Sequence, residues 1–184
     1  MQLRTFSIFL LTIAVCDVFP RCGLAQSQQP EAVHRSIVEL PTVVTLNSRA
    51  FPELPRAVRK YLDSHHIGII EVSGRRGSRN VIRGRFLGGR TRDWAIVGSR
   101  DGVSDIYVFA GGSTAHVVRL ARGIDNHTRV IALVPLKELQ GRCCGAKADE
   151  SGLNHDGISE SVGGNPPQIW FYRSSGWLQL DCSK

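Results

Sequence analysis

Seven arginines crowd one short stretch of this chain: Arg75, Arg76, Arg79, Arg83, Arg85, Arg90 and Arg92. A guanidinium keeps its charge at any ordinary pH and presents a planar fork of donors, so such a run suits carboxylate, sulfate or phosphate groups. If the residues from Asn80 form a strand, alternation puts Arg83 and Arg85 on one face. The turn that follows adds Arg90 and Arg92, and these four are the candidate binding residues. Nucleic-acid binding also wants exposed aromatics between the charges. The run holds only Phe86, on the apolar side of the alternation, so no nucleic-acid partner is expected. An anionic polymer or lipid surface is the functional reading of the run, and a plain solvated sheet face is the competing one.

The acidic residues are thinner. Asp149, Glu150, Asn154, Asp156 and Glu160 are the one concentration. Their spacing is not that of a calcium-binding EF-hand loop, which needs a glycine at its sharp turn. A solvated loop is expected there, without a metal. His155 and Asp156 could suggest an acid/base pair, but neighbours on an extended chain point to opposite faces, and Asp156-Gly157 reads as a turn. The sequence has no G-x-S-x-G, H-E-x-x-H, C-x-x-C or phosphate-loop pattern. No catalytic residue and no cofactor is therefore assigned. Trp94, Trp170 and Trp177 could line a carbohydrate platform, but buried aromatics are the default explanation for them.

The elements that would position these residues are mostly short strands. The chain has 184 residues, 42% hydrophobic and 21% charged, with 19 Gly and 8 Pro. That is enough for one domain with a core, and the glycines and prolines favour turns over long helices. Ser36–Leu46 reads as an extended edge segment around Pro41. Phe51–His66 is the best helix, with Leu54, Val58, Tyr61 and Leu62 on one face. Asn80–Ala110 reads as three strands and two tight turns. Asp93–Gly98 (DWAIVG) is apolar on both faces and so interior, and Asp101-Gly102 is a hairpin signal. Gly84 in mid-strand points to a bulge or to a close neighbour such as a Trp ring. Further strands fall at Ala115–Leu120 and Arg129–Val134, a helical turn at Leu136–Gly141, and a long polar loop at Arg142–Asn165. A C-terminal hairpin, Gln168–Arg173 and Trp177–Asp181, ends the chain. The fold class is mainly β (α+β): an antiparallel sheet or small sandwich of about seven strands with one N-terminal amphipathic helix.

The N-terminus reads as an address. Arg4, the apolar run Phe6–Val15 and the small residues of Gly23-Leu24-Ala25 fit a secretory signal peptide. The apolar run is short of the ~20 residues a membrane span needs. The expected organisation is a signal peptide at 1–25, a mobile lead-in at 26–35 and a single β-rich domain at 36–184. The formal net charge of +7 becomes slightly smaller on cleavage, which removes Arg4, Asp17 and Arg21. Cleavage also removes Cys16 and Cys22 and leaves Cys143, Cys144 and Cys182. An oxidising compartment favours a disulfide, and adjacent cysteines rarely pair. Cys182 is expected to pair with Cys143 or Cys144.

Within Asn80–Ala110, the pattern Ile82-x-Gly84-x-Phe86, Gly89, Asp93-x-Ala95-Ile96-Val97 and Ile106-Tyr107-Val108-Phe109 resembles one FG-GAP or VCBS-type repeat. Such repeats build propeller blades in secreted and cell-surface proteins. One copy cannot make a propeller. Most of the chain after residue 25 is similar to small secreted bacterial proteins of unknown function that carry this unit alone. They share a preceding helix, NVIRGRF with DWAIV and DIYVF, a late His155-Asp156-Gly157-Ile158 and an aromatic C-terminal hairpin. Members often carry one Cys after the helix and one after the DWA strand, where this chain has His66 and Gly98. The repeat's turn normally binds calcium through several Asp or Asn oxygens. Here Gly88–Asp93 offers one carboxylate beside Arg90 and Arg92, so no metal is expected there.

The sequence thus points to a periplasmic or secreted, non-enzymatic binding or scaffolding module of the bacterial envelope. A divergent hydrolase or enzyme inhibitor with a site in the 142–165 loop is the rival. The export and cysteine readings predict a mature mass that fits Gln26–Lys184 and one free thiol per chain on titration. Three free thiols would rule out an intramolecular bridge.

Overall fold

A computed structural model describes residues 42–72, 80–124, 128–143, 152–173 and 176–180. Their elements are β1 (Val43–Leu46), α1 (Arg56–Ser64), β2 (Gly68–Val72), β3 (Val81–Gly84), β4 (Asp93–Arg100), β5 (Val103–Phe109) and β6 (Val117–Ile124). They continue with β7 (Arg129–Val134), α2 (Leu136–Cys143), β8 (Gly157–Val162), β9 (Gln168–Arg173) and β10 (Gly176–Leu180). All the strand pairs are antiparallel. One sheet runs β1-β2-β4-β5-β6, with β3 also on β4; the other runs β10-β9-β8-β7. The mainly-β, antiparallel expectation holds. The element count does not: the described residues hold ten strands, not about seven, and two helices, not one.

β4 explains the layering. Seven of its eight residues are buried, all but Arg100. Alternate side chains enter different cores. Trp94 and Ile96 join Phe51, Leu54, Val58, Leu62, Ile69, Tyr107 and Phe109 in the core under α1. Ala95 and Val97 join Ile70, Phe86, Ile106, Val108, Ile131 and Ile158 in the core between the sheets. The first sheet is therefore the middle layer, with α1 on one face and the second sheet on the other. Val58 and Leu62, one helical turn apart, are fully buried, and each contributes roughly 2 kcal/mol by removing its apolar surface from water. α2 covers the outer face of the second sheet, where Leu139 packs with Val134, Leu153, Ile169 and Phe171.

The β4–β5 turn has Asp101 at φ 55° and Gly102 at φ 73°. Two successive positive φ values match the right-handed twist of a tight hairpin, as the Asp-Gly pair foretold. Gly84 has no side chain because a Cβ there would lie 2.6 Å from Leu133 Cδ1 and 2.7 Å from the Phe86 ring. The close neighbours are these two residues and not a Trp.

Two expectations need correction. The helix is shorter than Phe51–His66, because Pro55 caps it and Phe51 and Leu54 pack ahead of its first turn. The apolar residues after the helix form β2, paired along β1 from Val43↔Val72 to Leu46↔Ile69. Most consequentially, the stretch expected as one long polar loop contains β8, which is paired on both sides, to β7 and β9. Its sequence, GISESV, alternates Ile158 and Glu160 with Ser159 and Ser161. A buried glutamate made that alternation look polar. Asp156-Gly157 is accordingly the entrance to β8 and not a turn.

β2 and β3 share one edge of β4. β2 pairs there only at Gly68↔Ser99 and Ile69↔Gly98, and β3 takes over from Val81↔Ile96 to Gly84↔Asp93. Asn80 sits at the changeover, fully buried. Its N–H donates to Glu71 Oε1 (3.2 Å) and its carbonyl accepts from Val97 N (2.9 Å). Its side-chain amide donates to Arg129 O (2.8 Å) and accepts from Ile131 N (3.0 Å) in β7. Asn80→Ala strands the last two main-chain groups, at roughly 1–3 kcal/mol each. Urea unfolding should therefore show a loss of about 2–6 kcal/mol with an unchanged m-value.

Candidate functional site

The four candidate arginines gather around the β3–β4 connection, and all four are exposed. Arg83 opposes Trp94 across the β3–β4 ladder. Its guanidinium carbon lies 5.3 Å from the indole centroid, within cation–π reach. Arg85 Nε donates to Gly89 O at 3.3 Å, which curls the side chain over the turn. None of the four has an acidic partner among the described residues.

The one acid of that turn is engaged elsewhere. Asp93 is 2% exposed. Oδ2 accepts from Phe86 N (2.9 Å) and Leu87 N (3.0 Å), and Oδ1 accepts from Gly111 N (2.9 Å). Three N–H donors satisfy a buried carboxylate, and they pin the arginine-bearing turn to the one that follows β5. Asp93 thus caps main chain and pairs with no arginine.

His155 and Asp156 are built into the frame as well. The His155 ring is buried and stacks on Phe171 with centroids 4.2 Å apart. Its Nδ1 lies 2.9 Å from Asp156 O and its Nε2 2.8 Å from Tyr172 O. A carbonyl can only accept, so both nitrogens are occupied as donor positions or face oxygen lone pairs. Asp156 accepts from Arg85 N (2.9 Å) and Leu136 N (3.1 Å), tying the end of β3 to the start of α2.

Glu160 departs furthest from the expected solvated loop. It is 4% exposed and its Oε1 lies 3.0 Å from Arg129 Nε, a charge contact whose N–H is not aligned as a hydrogen bond. Its Oε2 accepts from Trp170 Nε1 at 2.7 Å. Arg129 Nη1 crosses to the other sheet and donates to Ser104 O (2.8 Å) and Ala121 O (3.4 Å). A Cβ on Gly123 would run into Nη2, so Gly123 leaves the guanidinium its place. Trp94 lies in the helix-side core, whereas Trp170 and Trp177 pack on the inter-sheet core. The three do not form one platform. Asn154 is exposed; Asp149, Glu150, Cys144, Cys182 and the Cys143 side chain lie outside the described residues, as do Arg75, Arg76 and Arg79.

Two clusters were not anticipated. Ser48 Oγ donates to Asp63 Oδ1 at 2.7 Å beside a cavity of about 410 Å³ also lined by His66. Ser48 is 1% exposed and its hydroxyl is committed to this hydrogen bond, so the pair fastens the Ser48–Ala50 turn to α1. The second cluster surrounds a cavity of about 200 Å³ between the end of α1 and the β4–β5 turn. Asp105, 3% exposed, accepts there from Arg119 Nε (3.1 Å), Arg119 Nη2 and Tyr107 Oη (3.3 Å), all on Oδ2. A bulge between Asp105 and Tyr107 brings Arg119 opposite Tyr107. Tyr61 and His65 line the cavity and stack on each other, centroids 4.0 Å apart. Alternation in SDIYVF places Asp105, Tyr107 and Phe109 on one face. An aspartate on an otherwise apolar face is the signal that would have drawn attention to it.

No protein family, curated protein or solved structure matches the chain.

Burial, and then the Asp105 charge, push the Tyr107 phenol above its ordinary value of 10.0. The hydrogen bond to Asp105 raises the Arg119 guanidinium, with burial opposing. The folded chain therefore holds the Tyr107 proton more tightly than the unfolded one. The stability this gives is complete below pH about 10 and is lost as pH rises through the folded value. Ultraviolet titration should show one late-ionising tyrosine, absent in Tyr107→Phe, whose alkaline loss of stability should also be shallower.

Proposed function

We propose that the chain is an exported, non-enzymatic binding module that engages a polyanionic surface of the cell envelope through Arg83, Arg85, Arg90 and Arg92. The observation that carries this reading is the cluster of four exposed guanidiniums without an acidic partner among the described residues. Cation–π contact with Trp94 gives Arg83 a preferred orientation, which lowers the entropy lost when it meets an anion. Asn80–Ala110 folds as a meander of β3, β4 and β5, and we read it as an FG-GAP or VCBS-type unit on its sequence pattern alone. In such a unit adapted to anions, arginines replace the acids of the turn. Export rests on the pattern at residues 1–25. No helix among the described residues is long and apolar enough to cross a membrane. A hydrolytic centre within 142–165 gains no support from His155 and Asp156, whose polar atoms are engaged with main chain.

Sedimentation with phosphatidylglycerol vesicles and retention on an acidic polysaccharide test the reading. Going from about 0.01 M to about 1 M salt cuts the Debye length from about 30 Å to about 3 Å. Binding should fall more than tenfold over that range. Arg83→Glu with Arg85→Glu should weaken it more than tenfold at low salt and leave the melting temperature almost unchanged. Binding indifferent to salt, or equal in the double variant, would refute it.

A further inference from the structure

We propose that the cavity between α1 and the β4–β5 turn is a binding site for a single neutral sugar ring. Its volume of about 200 Å³ is below the roughly 300–1,000 Å³ of sites for drug-sized ligands. A ligand of one ring is the size it admits.

The lining decides the chemistry. Each cation at the cavity already has an anion: Arg119 is paired with Asp105, and Arg100 lies 3.2 Å from Asp101. The cavity therefore has no net charge with which to select an anion or a cation, unlike the arginine corner. It offers instead adjacent fixed donors and acceptors: a guanidinium, a carboxylate and a phenol within one hydrogen-bonded group. A hydroxyl both donates and accepts. A ring bearing several hydroxyls can thus bridge such pairs where a simple ion would satisfy only half of each.

The remaining side carries an aromatic pair. Tyr61 and His65 stack with an interplanar angle of 23°, and Tyr61 is braced edge-on against Phe109 at 5.5 Å. His65 Nδ1 is held 2.8 Å from Tyr61 O, which fixes the imidazole against the phenol. A sugar ring has apolar C–H groups as well as a polar rim, and it suits a cavity lined by aromatic side chains beside a polar cluster. The site is also preformed. Three donors converge on Oδ2 of Asp105, so the group needs little ordering when a ligand arrives.

The site lies at the far end of β4 from the arginine corner, about 24 Å away at ~3.4 Å per residue. The two readings can therefore fail separately.

Saturation-transfer NMR with glucose, galactose and N-acetylglucosamine, against acetate and sulfate as charged probes, tests the proposal. At least one neutral sugar should bind. Tyr107→Phe, which removes only the hydroxyl, should weaken that binding about fivefold, as the loss of one hydrogen bond would. His65→Ala and Arg119→Lys alter exposed side chains and should weaken it comparably with the circular-dichroism melt retained. They carry the test if Tyr107→Phe does not fold. Arg83→Glu with Arg85→Glu should leave sugar binding intact. Absence of transfer to all three sugars, preference for acetate or sulfate, or equal binding in His65→Ala and Arg119→Lys would overturn it.

Discussion

The fold depends on one buried asparagine. Asn80 is where β2 leaves β4 and β3 replaces it, and a changeover between strands leaves main-chain groups without ladder partners. Asn80 supplies them. Its main chain completes β4 through Val97 N, and its side chain copies a peptide group towards Arg129 O and Ile131 N of β7. A carboxamide can do both at once because it carries a donor and an acceptor in one plane. No aliphatic residue of that size could. The same side chain that closes the middle sheet therefore also fixes the height of the second sheet upon it.

A second polar bridge then sets the orientation of the two sheets. Arg129, whose carbonyl Asn80 holds, reaches Ser104 O and Ala121 O with its side chain, while Glu160 neutralises it and Trp170 holds Glu160. Burying two opposite charges adds little net stability compared with a hydrophobic pair, because both must be stripped of water. Removing one of them leaves the other uncompensated, which is far worse. Such a bridge penalises sheet arrangements that separate its members. Ala121 lies in the β5–β6 bulge, opposite the skipped Ile106. The irregularity that supplies Arg129 with an acceptor also sets Arg119 beside Asp105 and Tyr107 on the opposite face. Sheet packing and the small cavity thus share one cause.

The regular elements were legible because their side chains follow a simple period. DWAIVG announced a strand buried on both faces, Asp101-Gly102 its hairpin, and QIWFYR with WLQL the last pair. β8 was hidden because its inward positions are Ile158 and Glu160. A glutamate reads as solvent-facing until Arg129, 31 positions earlier in the chain, is known to meet it. The same limit applies to the sites. Alternation predicted one face for Arg83 and Arg85, but β3 ends at Gly84 and Arg85 lies beyond it. Asp105, Tyr107, Arg119, Tyr61 and His65 come from three elements, and only the bulge and the docking of α1 bring them together. His155 and Asp156 misled in the other direction: their chemistry was readable, but the main-chain groups that occupy them were not.

The difference between the two ends of β4 follows from what each acid is bound to. At the β3–β4 connection, Asp93 accepts three main-chain N–H groups. Those donors are neutral, so the carboxylate is buried without cancelling any arginine, and four guanidiniums keep their full charge at the surface. At the β4–β5 end, Asp105 accepts from Arg119 and Asp101 lies against Arg100, so charge cancels within hydrogen-bond distance. Partner choice for the acids, rather than the number of arginines, makes one end an electrostatic surface and the other a neutral polar cavity. Screening by salt acts strongly on the first, whose charges face solvent, and weakly on the second, whose pairs are already in contact.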